Sequence, residues 1–290
     1  MRRIIGGVGR GLVTIGILIL LFVAYQLWGT GFYEAREQSQ LQSQFAKELA
    51  HERAQAKRNT ATTTITVPQV PPGVGEPVGI IQIPKIGLER AVIQGIGVPD
   101  LRKAPGHYPA TPLPGQLGNA AIAGHRTTYG APFNRLDELT AGDQIIITTL
   151  AGRFQYTMTT QQVVSPKEVF VLDPTPNATL TLTTCNPKFS ASTRLVVKAV
   201  LDTRHSAKPQ KAAALPVADR ASLDDGLSGR GQAKLPTYLW GFVVAAFGAA
   251  WWLIFHRYHR WTTWMMGAIP FAVVLFIFYY HLERLLPANY

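Results

Sequence analysis

The pattern of apolar and polar positions divides this 290-residue chain into three kinds of segment. Three runs are apolar on every side. Gly11 to Tyr33 carries no charged residue over 23 positions, Leu235 to Phe255 none over 21, and Trp261 to Tyr280 none over 20. A bilayer core takes about 20 apolar residues of helix, and the core helix of a soluble domain keeps a polar face, so each run predicts a spanning helix. Between the first and second runs the period changes to two. Short alternating segments predict strands at Val78–Ile83, Ala91–Ile96, Asn119–Gly124, Gln144–Thr149, Phe154–Val164, Thr179–Thr184 and Leu195–Leu201, with turns at Asp143 and Ala151-Gly152. One helical stretch is predicted at Pro132–Leu139, ended near Gly142. Many short strands with turn signals between them point to an all-β barrel or sandwich, and residues 79–203 are enough for one domain with a real core.

The third kind of segment is polar. Residues 34–57 lack Gly and Pro, and Leu41, Phe45 and Leu49 recur at i, i+4 and i+8, which predicts a short amphipathic helix. Residues 59–79 are Thr, Pro, Val and Gly, an extended linker. Residues 204–235 are small and polar, a second linker. The expected layout is a cytoplasmic N-terminus (1–10), a transmembrane helix (11–33), a juxtamembrane helix and linker (34–78), the folded domain (79–203), a linker (204–235), a transmembrane helix (236–255), a cytoplasmic loop (256–260), a third transmembrane helix (261–280) and an extracellular tail (281–290).

Charge orients that layout. Arg2, Arg3 and Arg10 precede the first run, and His256, Arg257, Tyr258, His259 and Arg260 form the whole link between the second and third. Both segments belong inside by the positive-inside rule, and the two assignments agree for three spans. Trp28, Tyr33, Trp240, Trp251, Trp252, Trp261, Trp264, Tyr279 and Tyr280 gather at or near the run ends, as interfacial aromatics do. A signal peptide is the competing reading of the first run. Its charged start fits one, but the run is long and no Ala-x-Ala site follows. The formal net charge of +11 adds little, because the basic residues are scattered rather than gathered in the stripe that nucleic-acid binding needs. A mildly basic outer domain facing an anionic cell envelope is the simpler view.

Candidate chemistry centres on the one cysteine. Cys185 ends Thr179-Leu180-Thr181-Leu182-Thr183-Thr184-Cys185, just before Asn186-Pro187. Leu180 and Leu182 share one strand face; Thr181, Thr183 and Cys185 share the other. With the leucines in the core, the thiol faces outward. On the next run Leu195, Val197, Ala199 and Leu201 share one face, and Arg194 and Lys198 the other. Antiparallel pairing through residues 186–193 would set Cys185 and Arg194 side by side. Of seven histidines, only His125 follows an apolar strand, Ala120-Ala121-Ile122-Ala123, behind a Gly. Each residue has a plainer reading: an inert buried thiol, a surface His, a surface Arg. A lone thiol in an exported domain beside a His and an Arg nevertheless has the parts of a cysteine nucleophile site. No His/Cys/Asp set has zinc-ligand spacing. No phosphate loop or dinucleotide fingerprint is present, so no metal or cofactor is expected.

The His125-Arg126-Thr127-Thr128-Tyr129-Gly130 segment, the Leu182-Thr183-Thr184-Cys185-Asn186-Pro187 segment and the following Arg194-Leu195-Val196-Val197 together resemble the sortases, cysteine transpeptidases of Gram-positive bacteria. The resemblance covers roughly residues 79–203. It implies an all-β, eight-stranded sortase-type barrel with short helices, flanked here by one N-terminal and two C-terminal transmembrane helices. It also implies Cys185 as nucleophile, His125 as acid and base, and Arg194 as clamp on substrate and oxyanion. Gly106-His107-Tyr108-Pro109, Leu113-Pro114-Gly115 and the stretch Gly124 to Phe133 look most like class E, the housekeeping type of actinobacteria. That class favours a Leu-Ala-x-Thr-Gly signal over Leu-Pro-x-Thr-Gly, a choice associated with a Tyr soon after the His, here Tyr129. Thr184 and Thr128 join Tyr129 as substrate-binding candidates. The implied partners are surface proteins bearing a sorting signal, a cell-wall precursor amine of the lipid II type, and the membrane. The pilin-polymerising class C is the alternative; it usually carries an Asp-Pro-aromatic lid, absent from residues 34–78. A membrane-bound cysteine protease and a non-enzymatic envelope protein are the rivals from outside the family.

Overall fold

The computed structural model describes residues 2–58, 70–212, 235–255 and 261–283. Among these, the helices in chain order are α1 (Arg2–Ala24), α2 (Thr30–Arg58), the single turn α3 (Val98–Leu101), α4 (Leu235–Phe255) and α5 (Trp261–Leu282). The strands are β1 (Pro77–Ile83), β2 (Leu88–Gln94), β3 (Gly106–His107), β4 (Gly118–Ala123), β5 (Gln144–Thr149), β6 (Gly152–Val164), β7 (Ala178–Asn186) and β8 (Thr193–Leu201). The described residues divide into two compact units, residues 26–58 with 70–212, and residues 2–25 with 235–255 and 261–283.

In the first of these, eight strands close into a barrel in the order β1-β2-β3-β4-β7-β8-β6-β5. Two neighbouring pairs run parallel, β2 with β3 and β4 with β7; the others are antiparallel. The period of two builds two cores from the same strands. Ala120 and Ile122 of β4, Leu180 and Leu182 of β7, and Leu195 and Val197 of β8 fill the barrel with Ile81, Ile147, Phe154 and Tyr156. Their neighbours Ala121, Ala123 and Val196 belong to a second apolar cluster, with Leu101, Tyr108, Val171 and Leu172. This covering corrects the reading of an outward-facing thiol. Cys185 does share its face with Thr181 and Thr183, but all three are buried.

The predicted strands recur with shifted ends. Ala91–Ile96 becomes Leu88–Gln94, because Gly95 (φ 109) turns the chain and gives its N–H to His107. Strand β3 was not predicted; two residues carry no period. Pro132–Leu139 is not a helix but a series of turns with one 3-10 turn, Leu136–Glu138. The Phe133 N–H is bonded to the His125 carbonyl, so the segment is stapled to the barrel instead of propagating helical bonds. The amphipathic helix predicted at 34–57 is α2, which begins earlier, after the π-helical turn Tyr25–Gly29. It packs on β1 and β2.

In the other unit, α1, α4 and α5 are apolar. Gly11–Gln55 and Leu235–Ile254 each hold a window long and apolar enough to cross a membrane, and Gly267–Leu282 is a shorter apolar stretch. Tyr279 donates its hydroxyl hydrogen to the Leu18 carbonyl at 2.6 Å and meets Phe22 edge-on. The basic link 256–260, residues 284–290 and most of both linkers lie outside the described residues.

Candidate active site

Three neighbouring strands deliver three side chains to one end of the barrel. Strands β4 and β7 run parallel with Ala123 opposite Thr183, so Gly124-His125 leaves β4 alongside Thr184-Cys185. Two bonds fasten this exit. The Gly124 N–H donates to the Thr183 carbonyl at 3.1 Å, and the Thr184 hydroxyl donates to the Gly124 carbonyl at 2.7 Å. On the other side, β7 and β8 are antiparallel with Cys185 opposite Arg194. Cys185 therefore stands between His125 and Arg194. All three line a narrow pocket with Leu101, Gly124, Thr183 and Thr184, and all three are buried.

Each is held by its surroundings. A Cβ at Gly124 would fall 2.6 Å from the buried Phe133 ring, so glycine is needed to bring the His125 loop this close. The His125 ring lies 5.1 Å from the Tyr129 ring, tilted by 34°. Tyr129 itself is buried, with φ 50, and the Arg102 guanidinium sits 5.6 Å from its ring centre. On Arg194, Nη1 donates to the carbonyls of Ala191 and Thr193, each at 3.0 Å, which fixes the guanidinium plane. The thiol feels opposing influences. Burial pushes Cys185 up from the ordinary thiol range, while Arg194 and then Arg126 pull it down. Burial is the larger influence and raises the thiol's pKa, which favours the protonated form at neutral pH.

The six sequence candidates thus separate. His125, Cys185, Arg194 and Thr184 meet in the pocket. Thr184 turns its hydroxyl to the backbone of Gly124, so its bond ties β7 to the His125 strand. Tyr129 lies against His125 and is not among the pocket-lining residues. Thr128 is half-buried, and its carbonyl accepts the Ala131 N–H within the turn.

Two residues at the site were not picked out from the sequence. Arg126 is buried; its Nη1 donates to the Cys185 carbonyl at 3.1 Å and to Asn186 Oδ1 at 2.7 Å, and its Nη2 pairs with Asp137 at 3.1 Å. The signal was present, an Arg directly after the candidate His, but a sequence does not say that it turns back under the thiol. Tyr108 is fully buried, with its hydroxyl 3.2 Å from Thr183 Oγ1. Burial pushes its pKa up to about 12, so it remains a neutral phenol behind the site.

The sortase domain model matches residues 81–202. Sortase SrtE1 of Streptomyces coelicolor is 34% identical over 206 residues, covering 66% of this chain and 55% of that protein. Sortase D of Bacillus subtilis is 33% identical over 117 residues, covering 40% of this chain and 58% of that protein. The chain thus spans just over half the length of these curated relatives. The solved structure of sortase E from Streptomyces avermitilis is 38% identical, covers 46% of this chain and 91% of its own, and has a TM-score of 0.42.

Proposed function

The chain belongs to the sortase family and is class E-like, and on that premise we propose that it is a membrane-anchored cysteine transpeptidase. Its substrate is a surface protein carrying Leu-Ala-x-Thr-Gly or Leu-Pro-x-Thr-Gly, cut between Thr and Gly. Its acceptor is a cell-wall precursor amine of the lipid II type. One observation carries the reading: Cys185 stands between His125 and Arg194 at the ends of three adjacent strands, in one pocket.

The chemistry follows from the protonated thiol. As Cys185 Sγ attacks the Thr carbonyl carbon, its proton passes to His125. The carbonyl oxygen gains negative charge, which the Arg194 guanidinium is placed to stabilise. When the C–N bond breaks, the Gly nitrogen leaves with the proton held by His125, and the Thr acyl group remains as a thioester on Cys185. The incoming amine gives a proton to His125 as its nitrogen bonds the acyl carbon, the C–S bond breaks, and Cys185 Sγ takes the proton back from His125. His125 must serve as acid and base in turn. Forming the thiolate only at attack suits a buried site, where a permanent thiolate would be poorly solvated.

Membrane anchoring rests on the apolar helices near both ends of the chain. The basic clusters at Arg2, Arg3, Arg10 and 256–260 support a barrel outside the cell. Substrates tethered to the same membrane would then meet the site at high effective concentration. The test is to incubate the full chain, in detergent micelles, with a Leu-Ala-x-Thr-Gly peptide with and without a primary amine. A transpeptidase gives amine-linked product that rises with amine concentration. Hydrolysed peptide alone, whatever the amine concentration, would make the protein a protease.

A further inference from the structure

One stripe of α2 carries Thr30, Glu34, Gln38, Leu41 and Phe45, spaced as a single helical face, and all five are buried. Its lower end is apolar, as the sequence suggested. Its upper end is polar, and each polar residue has a defined partner on the barrel. Gln38 acts as a strand neighbour to β2: its Oε1 accepts the Ala91 N–H at 2.8 Å and its Nε2 donates to the Ala91 carbonyl at 3.1 Å. The Glu34 carboxylate pairs with Arg90 at 3.0 Å. It also fills the space beside Gly130 (φ 71), where any Cβ would collide with it. The Thr30 hydroxyl donates to the Gln26 carbonyl at 2.8 Å and accepts the Tyr129 N–H at 3.1 Å. Tyr33, next on the helix, meets the Tyr129 ring edge-on at 6.5 Å.

These contacts converge on the turn that follows His125. Tyr129, Gly130 and Ala131 all have positive φ, at 50, 71 and 44. Two of the three are not glycine, so the turn is strained and persists only where its surroundings hold it. The Tyr129 N–H, buried with its residue, donates to the Thr30 hydroxyl. Apolar side chains would suffice to glue α2 to the barrel; polar ones at defined distances fix one geometry. We propose that Thr30 and Glu34 are positioning residues: the start of α2 holds the 125–131 turn, and through the Tyr129 ring it sets the His125 imidazole against Cys185. The juxtamembrane helix is then part of the catalytic unit rather than a spacer. This proposal rests on the transpeptidase reading for its kinetic consequence, though not for its structural one.

The experiment compares the full chain in detergent micelles with Thr30→Val, Thr30→Ser and Glu34→Gln. Two measurements are made: amide exchange across residues 125–131, and the steady-state kinetics (kcat and KM) of a Leu-Ala-x-Thr-Gly peptide. In Thr30→Val the turn should exchange faster and kcat should fall about 10-fold with KM little changed, because a displaced acid/base group slows chemistry more than binding. Thr30→Ser keeps the hydroxyl and should match wild type in both. Glu34→Gln loses the ion pair with Arg90 and should move both in the direction of Thr30→Val. Wild-type exchange and kcat in Thr30→Val would overturn the proposal, as would a kcat loss that Thr30→Ser shares. If the wild-type chain cleaves no peptide, the transpeptidase reading fails, and the exchange comparison alone decides the role of α2.

Discussion

Cys185 and Arg194 are register partners on antiparallel strands β7 and β8, so the thiol and the guanidinium leave the barrel side by side. The pairing places both at one spot, and the Ala191 carbonyl of the connecting loop helps to hold the guanidinium there. If Arg194 stabilises the developing oxyanion, its planar fork matters as well as its charge. Arg194→Lys should then lose about 10²-fold in kcat, the scale of one oxyanion donor, while thermal unfolding stays near wild type. Near wild-type kinetics in the Lys variant would make the residue structural.

The balance of burial against cations at Cys185 gives a test that needs no substrate. Alkylation by iodoacetamide follows the thiolate, so its pH midpoint reports the thiol directly. In wild type the midpoint should lie above the ordinary thiol value of about 8.5, since burial raises it more than Arg194 and Arg126 lower it. Arg194→Gln removes the larger of the two opposing charges and should move the midpoint further up. A wild-type midpoint below neutrality would mean a standing thiolate and contradict the protonated resting site.

Arg126 joins the two halves of the site, since it follows His125 in the chain and donates to the carbonyl of Cys185 and to the side chain of Asn186. Arg126→Met leaves the Cys185 carbonyl and Asn186 Oδ1 without these donors. The buried Cys185 carbonyl so orphaned costs about 1–3 kcal/mol, and the half-buried Asn186 less. Asp137 is half-exposed, so water can replace Arg126 there. The expected result is a lower unfolding temperature together with a higher alkylation midpoint. A variant with unchanged stability and unchanged midpoint would remove Arg126 from the site.

His107 supplies a pH dependence that is independent of catalysis. It is fully buried, with Nδ1 2.8 Å from Gln94 Oε1 and Nε2 2.9 Å from the Pro112 carbonyl, and burial lowers its pKa from 6.5 to about 4. The unfolded chain takes up this proton near pH 6.5 and the folded one only near pH 4. Stability from this group is therefore fully present above pH 6.5 and drains as pH falls toward 4, by about 3 kcal/mol. Melting curves across that window should show the slope, and His107→Gln should flatten it. An unchanged slope would assign the acid sensitivity to other groups.

How much of this was legible depended on sequence distance. The Cys185–Arg194 pairing could be read because the two strands are joined by a short connection and their parity was visible in Leu180, Leu182, Leu195 and Val197. The parallel contact of β4 with β7, which brings in His125, spans some 60 residues, and no local pattern encodes it. Here the likeness of the motifs to a family supplied what periodicity could not. The burial of Cys185 was hidden for a related reason: Tyr108 and Leu101, which belong to the covering cluster, come from a distant segment whose strand is only two residues long. On α2 the apolar positions Leu41 and Phe45 gave the helix its face. The polar members Thr30, Glu34 and Gln38 gave no hydrophobic signal, because their burial is offset by partners that only the fold brings near.

The central claim is covalent catalysis by Cys185, and the most direct measurement is intact-protein mass spectrometry of the full chain mixed with a Leu-Ala-x-Thr-Gly peptide in the absence of amine. An adduct equal to the peptide through its Thr, located on Cys185, cleared by hydroxylamine and absent from Cys185→Ala, is the expected result. Cleavage retained in Cys185→Ala, or wild-type cleavage with the adduct on another residue, would contradict it.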